Sequence, residues 1–209
     1  MSKAIFLGSF NPPHKGHYAC IKSFIDSGEM EYLGIDKIHI IPCYQNPNKQ
    51  KSTDYIHRYR MCMKMFADLI INEYVAIDDI EEEMCPKYTY ELIDHFKSNK
   101  DPYIKEDFWW IITAETLQEI IDGKWRNSEQ LLTNNKFIIM YNDNDTLYDA
   151  IQLVKKNKLN AVSIRINYDE QVNYHSTELR EKIYNNESIA NETNKSIQEY
   201  INENNLYKD

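Results

Sequence analysis

Glycine is scarce in this chain, at 5 of 209 residues, and no stretch resembles an internal repeat or a long linker. Apolar runs are short as well, and none approaches the roughly 20 residues that a membrane-spanning helix needs. The N-terminus lacks the basic region and the long apolar core of a secretory signal peptide. We therefore expect a cytoplasmic protein that has no membrane partner.

Cysteine is equally sparse. The four cysteines, Cys20, Cys43, Cys62 and Cys85, are widely spaced and form no CxxC pair. This spacing is typical of reduced thiols in an intracellular protein, and we expect some of them to be buried. Because no carboxylate cluster with metal-ligand spacing is found either, we predict no metal site built from protein side chains.

Positive charge is in deficit: 24 lysines and arginines face 33 acidic residues, for a net charge of -9. A general nucleic-acid binder needs a basic surface, so we expect no nucleic-acid partner. A local basic pocket for a small nucleotide is still compatible with this composition, because net charge does not describe a site.

Short apolar runs alternate with longer helical patterns along the chain, which favours an α/β fold with a doubly wound, mostly parallel sheet. We predict one domain over residues 1–209, with the sheet core in 1–170 and a small C-terminal helical portion in 171–209. The predicted strands are 4–7, 37–41, 74–77, 108–112, 136–141 and 161–166. The first predicted helix begins near Tyr18. The other predicted helices cover 55–70, 88–96, 116–121, 128–132, 146–156, 176–184 and 191–204.

The N-terminal strand is followed by a turn that contains two histidines. Residues 8–13 are rich in Gly, Ser, Asn and Pro and cannot continue a strand or form a helix. A helix pattern begins near His17, so His14 and His17 project from one face of its first turn. Since a helix start offers unpaired N–H groups and partial positive charge, this turn predicts a phosphate site with two imidazole donors.

These residues resemble the GxFxPxHxGH signature of the nucleotidyltransferase superfamily. The sequence Gly-Ser-Phe-Asn-Pro-Pro-His-Lys-Gly-His, residues 8–17, matches every specified position. The resemblance implies a Rossmann-like nucleotidyltransferase fold and places the nucleotide at the carboxyl ends of the strands.

A second motif lies near the other end of the chain, at residues 174–180 (Tyr-His-Ser-Thr-Glu-Leu-Arg). Ser176 or Thr177 is a natural N-cap, and Arg180 stands one turn further on, where it can meet an anion. The stretch resembles the ISxTxxR motif of the same superfamily, although Tyr174 and His175 replace the usual Ile-Ser.

The middle of the chain resembles the nicotinate (or nicotinamide) mononucleotide adenylyltransferases. Residues 88–92 resemble the SYTxxTL segment, 124–127 the tryptophan segment, and 46–61 the flap and the RxxM-type helix. Residues 44–54 are otherwise a polar loop, which could equally be a mobile surface loop or an active-site flap.

The resemblance implies that ATP and nicotinate mononucleotide react to give nicotinate adenine dinucleotide and pyrophosphate in NAD biosynthesis, with Mg²⁺ bridging the triphosphate. It assigns catalysis to His14, His17 and Arg180. It assigns the ATP phosphates to Gly8, Ser9, Phe10, Gly16, Ser176, Thr177 and Lys49. It assigns the pyridine nucleotide to Asn11, Tyr88, Thr89, Trp125, Glu115 and Arg60.

Two departures from the family pattern fall near the substrates. Thr113-Ala114-Glu115 stands where the family usually has Gly-x-Asp, and Asn48 replaces the flap histidine. Trp109 and Trp110 indicate packing on the sheet, and the run of acidic residues at 81–83 indicates a solvated surface.

Other functions share part of this pattern. Nicotinamide mononucleotide is an alternative main substrate, and a phosphopantetheine or cytidylyl transferase would keep both phosphate motifs without residues 88–89 and Trp125. A non-catalytic nucleotide sensor would keep the phosphate site and release no pyrophosphate. A homodimer is compatible with any of these functions.

Overall fold

The computed structural model describes residues 2–45, 52–86, 88–97, 108–142, 144–167 and 175–208. Within these ranges a six-stranded sheet is parallel throughout, in the order β3-β2-β1-β4-β5-β6. The strands are β1 (Ser2–Gly8), β2 (Ile35–Pro42), β3 (Val75–Ile77), β4 (Phe108–Thr113), β5 (Lys136–Tyr141) and β6 (Asn160–Arg165). The predicted doubly wound α/β fold and its six strands are therefore confirmed.

Helices cover both faces of this sheet. The long ones are α1 (Lys15–Asp26), α3 (Tyr55–Met65), α6 (Thr89–Lys97), α7 (Ala114–Ile121), α9 (Asn144–Asn157), α10 (Ser176–Tyr184) and α11 (Lys195–Glu203). The short ones are α2 (Glu29–Tyr32), α4 (Ala67–Ile71), α5 (Ile80–Met84) and α8 (Ser128–Thr133). Strand order reverses between β1 and β4, and the carboxyl ends at such a switch point form the usual ligand crevice of these folds.

Alternation along the strands divides the core into two layers. In β1, Ala4 and Phe6 pack with α1, α3, α10 and α11, whereas Ile5 packs with α6, α7 and α8. The two tryptophans of β4 follow the same rule: Trp109 belongs to the first layer and Trp110 to the second. Both are buried, as predicted.

The helix predicted over residues 55–70 is in fact two helices, α3 and α4, that meet at Phe66. Met63 is not on the buried face of α3, because its side chain is 40% exposed. The buried stripe consists instead of Arg58, Met61, Cys62 and Met65, at the helical spacing i, i+3, i+4, i+7. An arginine therefore occupies a core position of α3.

The acidic run at residues 81–83 is not a solvated surface throughout. The side chain of Glu81 is buried on α5, and its Oε2 accepts a hydrogen bond from the Tyr44 N–H at 2.5 Å. Burial raises the pKa of the Glu81 carboxyl to about 7, against the lowering effects of the Tyr44 N–H and of Arg58. Sequence pattern alone missed this residue because α5 was itself not predicted.

Cys20 and Cys62 are buried free thiols, Cys43 is partly buried and Cys85 is exposed. In the part of the chain that the structure describes, no helix is long and apolar enough to cross a membrane.

The raised pKa of Glu81 predicts a pH dependence of stability. A neutral carboxyl stabilises the fold fully below the ordinary pKa of 4.5, and this contribution is lost as the pH rises toward 7. Glu81→Gln mimics the neutral form, so its melting temperature should fall less than that of the wild type between pH 5 and pH 8.

Thermal melting across this range measures the effect, with Glu82→Gln, an exposed neighbour, as the control. His14, whose pKa is lowered, acts in the opposite direction but is common to all three proteins. Parallel pH profiles for the wild type and Glu81→Gln would contradict the prediction.

Candidate active site

The turn between β1 and α1 is shaped by the packing of Phe10 on Gly8. Phe10 is buried and adopts a left-handed backbone with φ of 46°. A Cβ on Gly8 would lie 2.9 Å from the Phe10 ring, so only glycine permits this close approach. The side chain of Phe10 thereby closes the turn on the protein side.

His14 and His17 stand together at the start of α1, as predicted. Their rings stack with centroids 3.6 Å apart, and the Phe10 ring lies 4.9 Å from that of His17. The backbone N–H of His14 donates to the ring atom Nδ1 of His17 at 3.1 Å. Because Nδ1 accepts this bond, the proton of the neutral His17 ring is on Nε2, which makes Nε2 the donor.

His14 is a neutral group in this site. The pKa of the His14 imidazole is lowered to about 3. Burial is the larger cause, and the nearby His175 is the smaller one. At neutral pH its ring can therefore donate one hydrogen bond to an anion but carries no charge.

Helix α10 brings the second motif against the same turn. Arg180 donates from Nη1 to the Asn11 carbonyl at 2.8 Å and from Nη2 to the Thr177 hydroxyl at 3.0 Å. The Ser176 hydroxyl donates to the Pro12 carbonyl at 3.0 Å. The predicted N-cap is wrong by one position, since His175 is the N-cap and Ser176 uses its hydroxyl to hold the turn.

The C-terminal segment also supports this turn. The Tyr207 hydroxyl donates to Oδ1 of Asn11 at 2.9 Å, and the Thr53 N–H lies 3.3 Å from the same oxygen. The Lys15 N–H donates to the Glu192 carbonyl at 2.8 Å. The sequence offered no signal for these contacts, because they join residues more than 40 positions apart.

A cavity of about 650 Å³ opens beside Asn11 and Arg180. It lies where the turn, the start of α3, helix α10 and the C-terminal segment meet. Its lining residues are Asn11, Ser52, Thr53, Thr177, Arg180, Glu181, Tyr184, Asn185 and Tyr207. A guanidinium among hydroxyl and amide groups suits a phosphate-bearing ligand.

Arg58 ties this turn to its neighbours from below. Its guanidinium is 2% exposed and donates to the carbonyls of Ser9, Cys43, Tyr44 and Thr53 at 2.5 to 2.9 Å. The sequence prediction named Arg60 instead, and Arg60 is exposed. Residues two positions apart on an α-helix are rotated by about 200° around its axis, so Arg58 and Arg60 face opposite ways. The signal for Arg58 was its place on the i, i+3, i+4 stripe.

Of the residues predicted to bind the pyridine nucleotide, Asn11 lies in the turn and Arg60 on α3, whereas the other four belong to elements on the other face of the sheet. Tyr88 precedes α6 and donates its backbone N–H to Oε2 of Glu91 at 3.1 Å, and Thr89 begins the helix. Trp125 lies edge-to-face on Trp110 with centroids 6.0 Å apart, and its Nε1 donates to Glu119 at 3.1 Å.

Three further predicted positions remain. The Thr113 hydroxyl caps α7 by accepting from the Thr116 N–H at 3.2 Å, which puts Glu115 in the first turn, exposed to solvent. Gly16 is buried in the first turn of α1. Lys49, Asn48 and most of the predicted flap lie outside the described residues.

Three comparisons with known proteins show what this chain is similar to. The cytidylyltransferase-like family model matches residues 5–182. Proteins named probable nicotinate-nucleotide adenylyltransferase from Clostridium acetobutylicum and Fusobacterium nucleatum are 32% and 31% identical. The first match covers 98% of each chain, and the second covers 96% of this chain and 97% of the relative.

A crystal structure of a candidate nicotinate-nucleotide adenylyltransferase from Vibrio parahaemolyticus shares the fold, with a TM-score of 0.62 at 19% identity. The match covers 100% of this chain and 97% of that one. The family match spans both phosphate motifs, and the relatives are similar over their whole length. The chain therefore belongs to the cytidylyltransferase-like family and, within it, to the nicotinate-nucleotide adenylyltransferases.

Proposed function

We propose that this protein transfers the adenylyl group of ATP to nicotinate mononucleotide. The observation that carries the proposal is the convergence of His14, His17 and Arg180 on one turn at the carboxyl end of β1. A 5′-phosphate oxygen of the mononucleotide attacks the α-phosphorus in line and forms the new P–O bond. The bond to the β-phosphate oxygen breaks, and pyrophosphate leaves.

Catalysis in this scheme consists of positioning and charge neutralisation. His17 donates from Nε2 to the α-phosphoryl oxygens, where negative charge develops, and His14 adds a second donor. The N–H groups of residues 8–10, together with Gly16 in the first turn of α1, hold the shared phosphate. Arg180, with Ser176 and Thr177, holds the β- and γ-phosphates and so assists their departure. Lys49 would add positive charge from the flap.

Mg²⁺ enters as part of the substrate MgATP and neutralises part of the triphosphate charge. In the described ranges no three His, Cys, Asp or Glu side chains converge as a metal site. The cavity does offer hard oxygen donors, the hydroxyls of Thr53 and Thr177 and the carboxylate of Glu181. These suit a hydrated Mg²⁺ that is bound mainly by phosphate oxygens and water.

The pyridine side of the proposal depends on residues of α6 and α7 and on Trp125 between α7 and α8, together with Asn11 of the turn and Arg60 of α3. Trp125 stacks on the pyridine ring, with Tyr88, Thr89, Asn11, Glu115 and Arg60 around the nucleotide. The names of the two relatives favour the acid over the amide as substrate. A cytoplasmic location and a homodimer belong to the proposal as well, and gel filtration with light scattering tests the latter.

Pyrophosphate release with three acceptors tests the function directly. The protein is mixed with MgATP and, separately, nicotinate mononucleotide, nicotinamide mononucleotide and phosphopantetheine. Fast release with the nicotinate compound alone is expected. Equal release with both pyridine nucleotides would contradict the preference for the acid. Release with phosphopantetheine alone would show that the acceptor is not a pyridine nucleotide. ATP binding without any release would indicate a sensor.

Removing the His17 donor should lower kcat by roughly 10²-fold or more, because such donors act mainly in the transition state. His17→Ala and His95→Ala are compared in steady-state assays, since His95 lies near the end of α6 with no assigned role. Full turnover by His17→Ala would refute its catalytic role.

Removing the Trp125 ring should raise the KM for the pyridine nucleotide by roughly tenfold, the magnitude of one aromatic stacking contact. The KM for ATP should change little, and Trp125→Phe should retain most of the affinity. A rise in the KM for ATP alone would contradict the assignment of Trp125 to the pyridine nucleotide.

A further inference from the structure

The carbonyl groups of Gly8 and Ser9 both point toward the end of β2. The Gly8 carbonyl accepts from the Cys43 N–H at 2.9 Å. The Ser9 carbonyl accepts from Nη1 of Arg58 at 2.9 Å, and the same Nη1 donates to the Cys43 carbonyl. Arg58 therefore connects the turn after β1 to the end of β2.

This arrangement reverses the usual alternation of a strand. Successive peptide groups of a regular strand point in opposite directions, yet these two point the same way. In a trans peptide the N–H of the next residue is opposite to the carbonyl, and both peptides are trans. The Ser9 N–H consequently faces away from Cys43, on the β4 side of β1, and the Phe10 N–H faces away from Arg58.

That side of β1 is the switch point of the sheet, where β1 and β4 are neighbours and the connections lead to opposite faces. Successive N–H groups that converge form a concave anion site. The convergence depends on the left-handed backbone of Phe10 and on a donor that holds the Ser9 carbonyl back. Arg58 supplies this donor.

We propose that Arg58 is a positioning residue for adenylyl transfer: it holds the Ser9 carbonyl so that the Ser9 and Phe10 N–H groups face the reacting phosphate. The guanidinium does not touch the substrate, because it is almost completely buried under the turn. A buried charge is weak evidence that a residue serves only to stabilise the fold. The inference rests on the proposed function, since the phosphate is that of the proposed reaction.

The test compares Arg58→Lys with Lys64→Arg. Lysine keeps the buried charge near Glu81 but cannot reach four carbonyls at once. Lys64 is an exposed cation on the same helix, where it lies over the Tyr200 ring, and its exchange serves as the matched control. Thermal melting and circular dichroism give the folded fraction of each protein, and kcat is expressed per folded molecule.

Arg58→Lys should lower kcat by roughly 10²-fold, as the loss of a transition-state donor does, and leave the KM for nicotinate mononucleotide nearly unchanged. Arg58→Gln should show at least the same loss, and Lys64→Arg should match the wild type. An unchanged kcat in Arg58→Lys, with only a lower melting temperature, would overturn the proposal. Failure of both Arg58 variants to fold would also overturn it, because Arg58 would then serve the fold.

A second measurement separates this inference from the reaction itself. Inorganic tripolyphosphate with Mg²⁺ is titrated into the wild type, Arg58→Lys and Lys64→Arg by calorimetry, and it needs no acceptor. If the wild type is inactive with every acceptor, an affinity about tenfold lower in Arg58→Lys alone would still support the positioning role. Equal affinities in that case would overturn it, separately from the proposed function.

Discussion

A buried arginine connects the segments that surround the turn after β1. Arg58 lies on the core stripe of α3 and donates to carbonyls at the ends of β1 and β2 and ahead of its own helix. Such a group is costly to bury unless its donors are satisfied. With those bonds made, it holds segments that lie 5 to 49 positions from it in the chain in one arrangement. The geometry of the turn at residues 8–13 depends on these bonds.

The site is assembled by convergence from both ends of the chain. The turn after β1 contributes both histidines, α10 contributes Arg180, and the C-terminal segment contributes Tyr207. Arg180 and Tyr207 hold the backbone and amide oxygens of Asn11, and His17 accepts the backbone N–H of His14, so the turn is preorganised. Preorganised donors are worth more than flexible ones, because no reorganisation is needed when charge develops.

Burial also decides the charge state of two groups near the turn. His14 is held neutral, whereas Glu81 has a pKa close to physiological pH, and neither could be assigned from residue type. Glu81 shares the Tyr44 peptide region with Arg58, since its carboxylate accepts the Tyr44 N–H and Arg58 donates to the Tyr44 carbonyl. The same small network therefore connects stability, pH and the phosphate turn.

The sequence alone determined the strand pattern, the two phosphate motifs and the family, because these are local: apolar runs form parallel strands, and the Gly-Phe-Pro-His spacing specifies one kind of turn. Only the tertiary structure decided which of two arginines on α3 faces inward, that Glu81 is buried and that Tyr207 reaches Asn11. Those contacts join residues far apart in the chain, and their energy comes from desolvation and hydrogen bonds that exist only after packing.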